Sequence, residues 1–287
     1  MRLFLALCAT IIFFGCNLTT TTRQPANSSL FECRFQRGAL RVDIVLRDSM
    51  PNKEVNIVSV SSLEEWTGRR GDIYKVDNHP MGNFVYYIIE DKTRDTIWTD
   101  GFCALYEEWV NTPYEGKSII DYEHTIYTPM PRRKSTLVIE QRARNGVYTE
   151  IQRVDILPNK IKPCGTLLKP TVKCINDAGD PRTSLDFLIL ADAYMADEEA
   201  KFDSMAQSIV AEWLSREPWC RYKDRISFRT AFLPSKTNVV GDCRDKSIKE
   251  FSILNSQFGW HGSDRYLITN DVFRQSDYVG NIPADYV

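Results

Sequence analysis

The stretch covering residues 185–213 limits most strongly what this chain can fold into. It begins with an apolar run at 185–192, which turns through a corner at 193–195 into a long segment with helical periodicity. The run has no polar face between 187 and 191, so we expect it to be covered on both sides. Apolar side chains recur three or four residues apart in the helical segment, at Phe202, Met205, Ala206, Ile209, Val210, Trp213 and Leu214. The pattern predicts the first βα unit of an α/β layer, with residues 225–232 as the parallel strand beside it.

Residues 31–160 predict an antiparallel β-sandwich domain. Short segments rich in β-branched and aromatic residues are separated by turn residues, and no helix-length periodicity interrupts them. Asn145 and Gly146 predict a hairpin closed by a two-residue type I′ turn, which needs positive φ at both positions. The predicted strands include residues 40–44, 55–57, 84–89, 136–141 and 149–157.

A stretch rich in loop-forming residues, 161–180, is predicted to link the sandwich to an incomplete α/β domain at 181–287. Clusters of Pro, Gly, Asn and Asp break the strand pattern there. Further along, the sequence predicts a short helix over 246–258, a strand-like segment at 266–268 and a helix that begins near Asn270. Residues 282–287 are typical of the start of another strand.

The first 30 residues predict export. Arg2 supplies the positive charge of a signal peptide over residues 1–15, whose apolar core is too short to span a bilayer. Gly15 and Cys16 resemble the end of a bacterial lipobox, so Cys16 is the predicted lipidation site; the alternative is plain secretion with Cys16 incidental. Residues 16–30 are polar and aperiodic, as in a tether. We therefore expect an outer-membrane or cell-surface lipoprotein held by its lipid anchor, or a periplasmic or secreted protein.

The charge balance argues against a nucleic-acid partner. The chain has 36 basic and 38 acidic residues and a formal net charge of -2, so no global positive field would attract phosphates.

The cysteines are candidates for disulfides, because export would place them in an oxidising compartment. Cys8 leaves with the signal peptide, and six others follow Cys16. The sequence leaves their pairing open, but two pairs are close enough in the chain to close short loops: Cys164 with Cys174, and Cys220 with Cys243. A zinc site at these cysteines is not favoured, because they show no Cys-x-x-Cys spacing and no histidine lies near a cysteine pair.

Catalytic and metal-binding motifs are absent from this sequence. Its histidines are His79, His124 and His261, and none begins a His-Glu-x-x-His motif, which presents two imidazoles to one zinc from a single helix. We expect them to be a turn, a strand and a loop residue, respectively. No Gly-x-Ser-x-Gly elbow is present either. The sequence therefore predicts no catalytic residue and no metal ligand in this chain.

Two sets of residues carry a resemblance to a known family. Residues 186–194, with Glu198, Lys201 and Phe202, resemble the opening of the catalytic domain in the bacterial immunoglobulin A peptidase family, a group of secreted zinc metallopeptidases. Ala193 and Met195 depart from that pattern, since the family tends to have Gly and Thr there. In that family a β-rich domain precedes the catalytic domain. Four segments of this chain resemble the landmarks of that domain, in the same order: residues 40–43, 65–68, 108–112 and 127–131.

The resemblance implies that this chain is the N-terminal portion of a zinc metalloendopeptidase, made of the β domain and the first part of a zincin-like catalytic domain. It implies zinc in the full-length family member and none bound to this chain, because the zinc helix follows the strand that residues 285–287 begin. The implied partner is a protein substrate, for example an immunoglobulin or another host or dietary protein. The alternative is a non-enzymatic surface lipoprotein whose sandwich binds a glycan or a host protein.

Overall fold

The computed structural model describes residues 28–49, 52–66, 68, 81–106, 121–245, 247–248 and 251–287. The signal peptide, Cys16, most of the predicted tether, His79 and the motif at 108–112 lie outside these residues. No helix in the described part of the chain is long and apolar enough to cross a membrane.

Two four-stranded sheets form the N-terminal half. Sheet A contains β1 (Phe35–Ser49), β2 (Asn52–Leu63), β5 (Asp121–Pro131) and β8 (Lys162–Pro163), in the spatial order β5-β1-β2-β8. Sheet B contains β3 (Phe84–Glu90), β4 (Thr96–Phe102), β6 (Ser135–Arg142) and β7 (Tyr148–Ile156), in the order β4-β3-β6-β7. Neighbouring strands are antiparallel except β8, which runs parallel to β2. The prediction of an N-terminal β domain is confirmed.

One hydrophobic core joins the two sheets. Alternate residues of β1 point into it and meet alternate residues of β3 and β6, because side chains on a strand point to opposite faces. The buried members of this core include Leu40, Val42, Ile44, Leu46, Phe84, Ile88, Leu137 and Ile139. The intervening residues of β1, Arg41 and Asp43, therefore lie on the outer face of sheet A.

A helix, α1 (Ser28–Arg34), precedes β1, where the sequence predicted a tether to residue 30 and strands from residue 31. The prediction is wrong at this boundary because two aromatic residues, Phe31 and Phe35, pack on the sandwich core from this helix and its junction with β1. Arg34 Nη1 also donates a hydrogen bond of 3.2 Å to Glu90, whose side chain is 1% exposed and is bound by Arg133 as well. These contacts fix the helix to the sandwich.

The predicted hairpin at Asn145 and Gly146 is confirmed, but its predicted turn type is wrong. Strands β6 and β7 pair antiparallel, with Arg142 opposite Tyr148. Gly146 has φ 83°, whereas Asn145 is not among the residues with positive φ. The Gly146 amide donates to Ala143 O and the Ala143 amide to Val147 O. This is a longer loop with a single left-handed glycine, which needs positive φ at one position instead of two.

A three-stranded sheet forms the α/β half. It contains β9 (Thr171–Asn176), β10 (Leu185–Leu190) and β11 (Ile226–Phe232), in the order β10-β11-β9. Strands β10 and β11 are parallel, from Leu185 opposite Ile226 to Leu190 opposite Ala231, and helix α2 (Glu199–Ser215) connects them. The predicted βαβ unit is confirmed. The predicted linker at 161–180 differs from the structure, because it contains β8 of sheet A and β9, which pairs antiparallel with β11.

The α/β sheet is covered on both faces, as predicted for its first strand. Helix α2 packs on one face through Phe202, Ala206 and Val210. Helix α3 (Val272–Val279) packs on the other through Tyr278, beside Leu188. The apolar stripe predicted for α2 is wider than the surface it buries, because Met205 and Ile209 remain 50% exposed.

The C-terminal segment differs from the sequence prediction in one element. The described residues between 247 and 258 are turns and the short strand β13 (Gln257–Phe258), where a helix was predicted; β13 pairs with β12 (Gly241–Asp242). Asn255 takes a positive φ of 53°, which a regular α-helix does not contain. The predicted helix near Asn270 is confirmed as α3. The start of a further strand is also present, because Tyr286 forms a parallel bridge with Phe187.

Candidate functional site

The outer face of sheet A is the surface on which the two halves of the chain meet. Arg41, which projects from this face, has a side chain only 1% exposed because α3 covers it. Its Nε donates to Asp43 Oδ1 at 2.8 Å, its Nη1 to Asp277 Oδ1 at 2.5 Å, and its Nη2 to Phe273 O at 3.2 Å. The guanidinium thus binds its own strand and a helix more than 230 residues along the chain.

Both carboxylates that hold Arg41 have further partners. Asp43 accepts hydrogen bonds from Ser59 Oγ at 2.7 Å and Thr125 Oγ1 at 2.9 Å. Asp277 accepts one from Thr166 Oγ1 at 2.7 Å. Burial acts to lower the pKa of Arg41, but its hydrogen bonds to Asp43 and Asp277 outweigh burial and raise that pKa, so Arg41 remains a cation. A buried charge held in this way stabilises one arrangement of its neighbours.

The N-terminus of α3 is held by a carboxylate from the sandwich. Glu123 on β5 accepts a hydrogen bond of 2.9 Å from the Phe273 amide, which belongs to the first turn of α3 and has no partner within the helix. Burial raises the pKa of Glu123, and the amides of Phe273 and Val272 oppose that shift. One turn later, Ser276 Oγ donates to Thr125 Oγ1 at 2.9 Å. The helix is therefore bound to sheet A along one side by polar contacts.

A cleft of about 670 Å³ lies beside this interface and is lined by both halves of the chain. The sandwich contributes Trp66 and Tyr127, and the α/β half contributes Arg182, Asp285 and Tyr286. The volume lies within the range of small-molecule sites, and domain interfaces often form such sites.

The structure brings together motif segments that are far apart in the sequence. Of the β-domain segments, 40–43 and 127–131 lie on the neighbouring strands β1 and β5, while Glu65, Trp66 and Gly68 line the cleft. Segment 186–194 forms β10 and the corner after it. The three described motifs of the first half therefore converge on the surface that faces the second half.

The corner after β10 contains Ala193 and Met195, the two residues that depart from the family pattern. Ala193 adopts φ 57°, in the left-handed region that favours glycine. Met195, which precedes the turn leading into α2, donates its amide to Glu198 Oε2 at 3.0 Å. Asp192 accepts hydrogen bonds from Ser252 Oγ at 2.9 Å and from the Leu254 amide at 3.0 Å. The contacts of Asp192 and Met195 hold the corner, in which Ala193 adopts a strained backbone conformation.

The residues that the structure describes do not fit a zinc site. Among the described residues, no group of three His, Cys, Asp or Glu side chains could hold a metal ion. His124 lies on β5, as predicted, with its ring stacked on Phe102 at 3.8 Å, and burial lowers its pKa to about 4. His261 lies in a short 3-10 turn, Trp260–Gly262, where a loop residue was predicted.

The six cysteines after Cys16 form no disulfide in the structure. Cys164 Sγ lies 3.6 Å from Arg41 Nη1 and 3.3 Å from Thr166 Oγ1, beside sheet A, whereas Cys174 is exposed on β9 of the other sheet. Neither the Cys164–Cys174 nor the Cys220–Cys243 disulfide is formed, and both pairings stay predictions.

Sequence reasoning missed the residues that hold the two halves together. Asp277, Glu123 and Thr166 belong to no motif and lie far from Arg41 in the sequence. The one available signal was the pair of charges on alternate residues of β1, Arg41 and Asp43, but alternation of this kind usually marks a solvated face.

Comparison with protein families gives two matches in chain order. A family described as Peptidase M64 N-terminus matches residues 30–152, which cover most of the sandwich. A family described as IgA Peptidase M64 matches residues 174–287, which cover β10, β11 and all that follows. A search of curated proteins gave no match.

Proposed function

The chain belongs to the IgA peptidase M64 family, and from that premise we propose that it supplies the N-terminal β domain and the first βαβ unit of a zinc metalloendopeptidase. The observation that carries the proposal is the order of the two matches, which fall on the two halves of the fold. The function that follows is hydrolysis of a polypeptide substrate, such as an immunoglobulin or another host or dietary protein.

The α/β half supports this proposal as the beginning of a zincin-like domain. Residues 285 and 286 already join β10: the Asp285 and Tyr286 amides donate to Asp186 O, and the Leu188 amide donates to Tyr286 O. Tyr286 stacks on Phe187 at 5.3 Å. A parallel strand that continues from Tyr286 would place β10 inside the sheet, where its two apolar faces are already covered.

The proposal assigns no metal ligand to the described residues of this chain. Zinc, when bound, would polarise the scissile carbonyl and activate a water molecule. The 287 residues contain no His-Glu-x-x-His motif, and the described ones contain no alternative ligand set. In the proposed enzyme, these residues build and orient the sheet that supports the metal helix.

Export and lipid anchoring through Cys16 complete the proposal. They place the enzyme outside the cytoplasm, where proteins of other cells are accessible as substrates. The support is the charge of Arg2, the short apolar core after it, and Gly15 followed by Cys16.

The coding sequence after Val287 and the chemistry of the purified chain test the proposal together. We expect an in-frame His-Glu-x-x-His motif within about a hundred codons, a span that completes one domain of ordinary size. We expect the 287-residue chain to retain no stoichiometric zinc after dialysis and to leave casein and immunoglobulin intact, whereas the extended chain binds zinc and cleaves protein.

Two outcomes would contradict the proposal. A stop codon with no downstream remnant of the motif would favour the non-enzymatic surface module. About one zinc per chain, with cleavage that a chelator abolishes, would show that the 287 residues contain a metal site of their own.

A further inference from the structure

A small pocket lies where the parallel strands β10 and β11 end. Its volume is about 330 Å³, and its walls include Ser235, Lys236 and Ile253, with Arg274 from α3. In open α/β sheets, ligands bind at the carboxyl ends of the parallel strands. The position of this pocket is therefore one where the fold favours binding.

The side-chain polar groups that remain free in the pocket are hydrogen-bond donors. Ser235 Oγ accepts hydrogen bonds from the Ala193 amide at 3.2 Å and the Ile253 amide at 2.9 Å, which use both of its lone pairs and leave its proton to donate. Arg274 Nε donates to Ile253 O and occupies that carbonyl. Ser252 Oγ is engaged with Asp192 and with the Ser256 amide. The donors that remain are those of Ser235, Lys236 and Arg274.

The described lining of the pocket is positively charged. It includes Lys236 and Arg274, and none of the described lining residues is a carboxylate. Among the described residues, neither cation takes part in an ion pair, whereas Lys173, Lys201 and Arg244 each bind a carboxylate. Two cations and a fixed hydroxyl donor match an oxyanion, because an oxyanion accepts hydrogen bonds and donates none.

We propose that this pocket binds the carboxylate of an acidic side chain, glutamate or aspartate, from a polypeptide. The apolar walls at Pro234, Phe251 and Ile253 fit the methylene stem of such a side chain, while Lys236, Arg274 and Ser235 receive its carboxylate. The inference rests on the proposed peptidase function, for which the pocket would select substrates with an acidic residue near the cleavage site.

Ser235 is the hydrogen-bond donor of the pocket that the surrounding structure holds in place. Its side chain is 7% exposed, and its amide donates to Tyr194 O at 2.7 Å, so β11 and the corner after β10 hold it from two directions. A donor that is fixed before binding loses little entropy when the ligand arrives. Lys236, in contrast, is exposed and contributes mainly charge.

The test is titration of the 287-residue chain with N-acetyl-glutamate methylamide, followed through the amide chemical shifts of Ser235 and Ile253. We expect saturable binding that weakens as salt increases. The neutral isostere, N-acetyl-glutamine methylamide, is expected to cause no saturable shift. Inorganic phosphate, titrated separately, distinguishes a peptide carboxylate from a free oxyanion.

Two variants locate the binding. Lys236→Gln removes one cation whose ammonium makes no hydrogen bond to a described residue, so it is expected to fold like the wild type and to bind at least about tenfold more weakly, since hydrogen bonds to charged groups are the strong ones. Lys236→Glu is expected to abolish binding. Lys160→Gln, an exposed lysine in the 3-10 turn Pro158–Lys160, is the matched control and is expected to bind like the wild type.

Three outcomes overturn the inference: no shift with the glutamate compound, equal binding in the Lys236→Gln variant, or binding of phosphate alone. None of them bears on the proposed peptidase function, which the codons after Val287 and the zinc assay decide separately. Loss of zinc-dependent cleavage in the extended chain, with the pocket still binding the glutamate compound, would contradict the function and leave the site in place.

Discussion

Arg41 on β1 and Asp277 on α3 form a hydrogen-bonded ion pair of 2.5 Å across the surface between the β domain and the α/β half. The arginine is 1% exposed and the aspartate 17% exposed, so the pair is largely removed from water. Such a pair contributes little net stability relative to apolar residues, but removal of one partner leaves the other charge uncompensated. The relative position of the two halves therefore depends on both members of the pair.

The first prediction concerns Arg41. Arg41→Met is expected to destabilise the chain by about 3–5 kcal/mol, because Asp43 and Asp277 would keep their charges without the buried cation. Thermal unfolding followed by circular dichroism measures the change. Arg47→Met is the matched control on the same strand, since Arg47 pairs with Asp121 but both side chains are 42% exposed, and we expect little change there. Equal destabilisation by the two variants would show that the interface pair has no special role.

The second prediction concerns pH. His124 has its pKa lowered by burial to about 4, while an unfolded histidine titrates near 6.5. Between these values the unfolded chain binds the extra proton, so stability is retained above pH 6.5 and is lost as pH falls towards 4. His124→Phe keeps a ring against Phe102 and removes the titration. As pH falls from about 6.5 to about 4, we expect the free energy of unfolding of the wild type to decrease by up to about 3 kcal/mol more than that of this variant. Urea unfolding measures both values. Parallel pH profiles of the two proteins would contradict the assignment.

The third prediction concerns the corner after β10. Ala193→Gly is expected to stabilise the chain by about 0.5–1 kcal/mol, because glycine adopts the positive φ of 57° without the strain of a Cβ atom. Ala211→Gly, inside α2, is the control and is expected to destabilise by a similar amount, since a helix interior favours alanine. A decrease in melting temperature for both variants would show that Ala193 is not strained.

The fourth prediction also concerns the corner. Met195→Thr places a hydroxyl where the helical segment begins, and a hydroxyl there can accept a hydrogen bond from an amide of the first turn. The expected gain is about 1 kcal/mol in chemical denaturation. Met195→Val, which has nearly the same shape as the threonine and no hydroxyl, is the control. If valine stabilises the chain as much as threonine, the effect comes from shape and not from capping.

The fifth prediction concerns export. Cys16→Ser is expected to move the protein from the membrane fraction to the soluble fraction, because the serine cannot receive the lipid and the remaining tether is polar. Cell fractionation followed by immunoblotting measures the distribution. Cys33→Ser, at an exposed thiol in α1, is the control and is expected to remain in the membrane fraction. A Cys16→Ser protein that stays with the membrane would exclude lipid anchoring at this residue.

Local pattern determined much of this fold. The sequence predicted a strand at residues 40–44, which lies in β1, and the unbroken apolar run of β10 predicted a strand covered on both sides. The run leads into a helix whose spacing predicted α2. These features depend on residues close together in the chain, because side-chain direction follows the period of each element. The absence of a His-Glu-x-x-His motif was also readable directly.

Only the tertiary structure decided what covers those elements. Arg41 and Asp43 have the pattern of a solvated face, yet α3 buries them, because a helix more than 230 residues along the chain meets sheet A. The turns at residues 251–256, in place of a helix, follow from contacts to Asp192 and Ser235 on other elements. The donors of Ser235, Lys236 and Arg274 likewise meet only after β11 and α3 pack together. Such partners lie far apart in sequence. The periodicity of a single element shows which of its faces is apolar, but it does not indicate which distant surface will pack on that element.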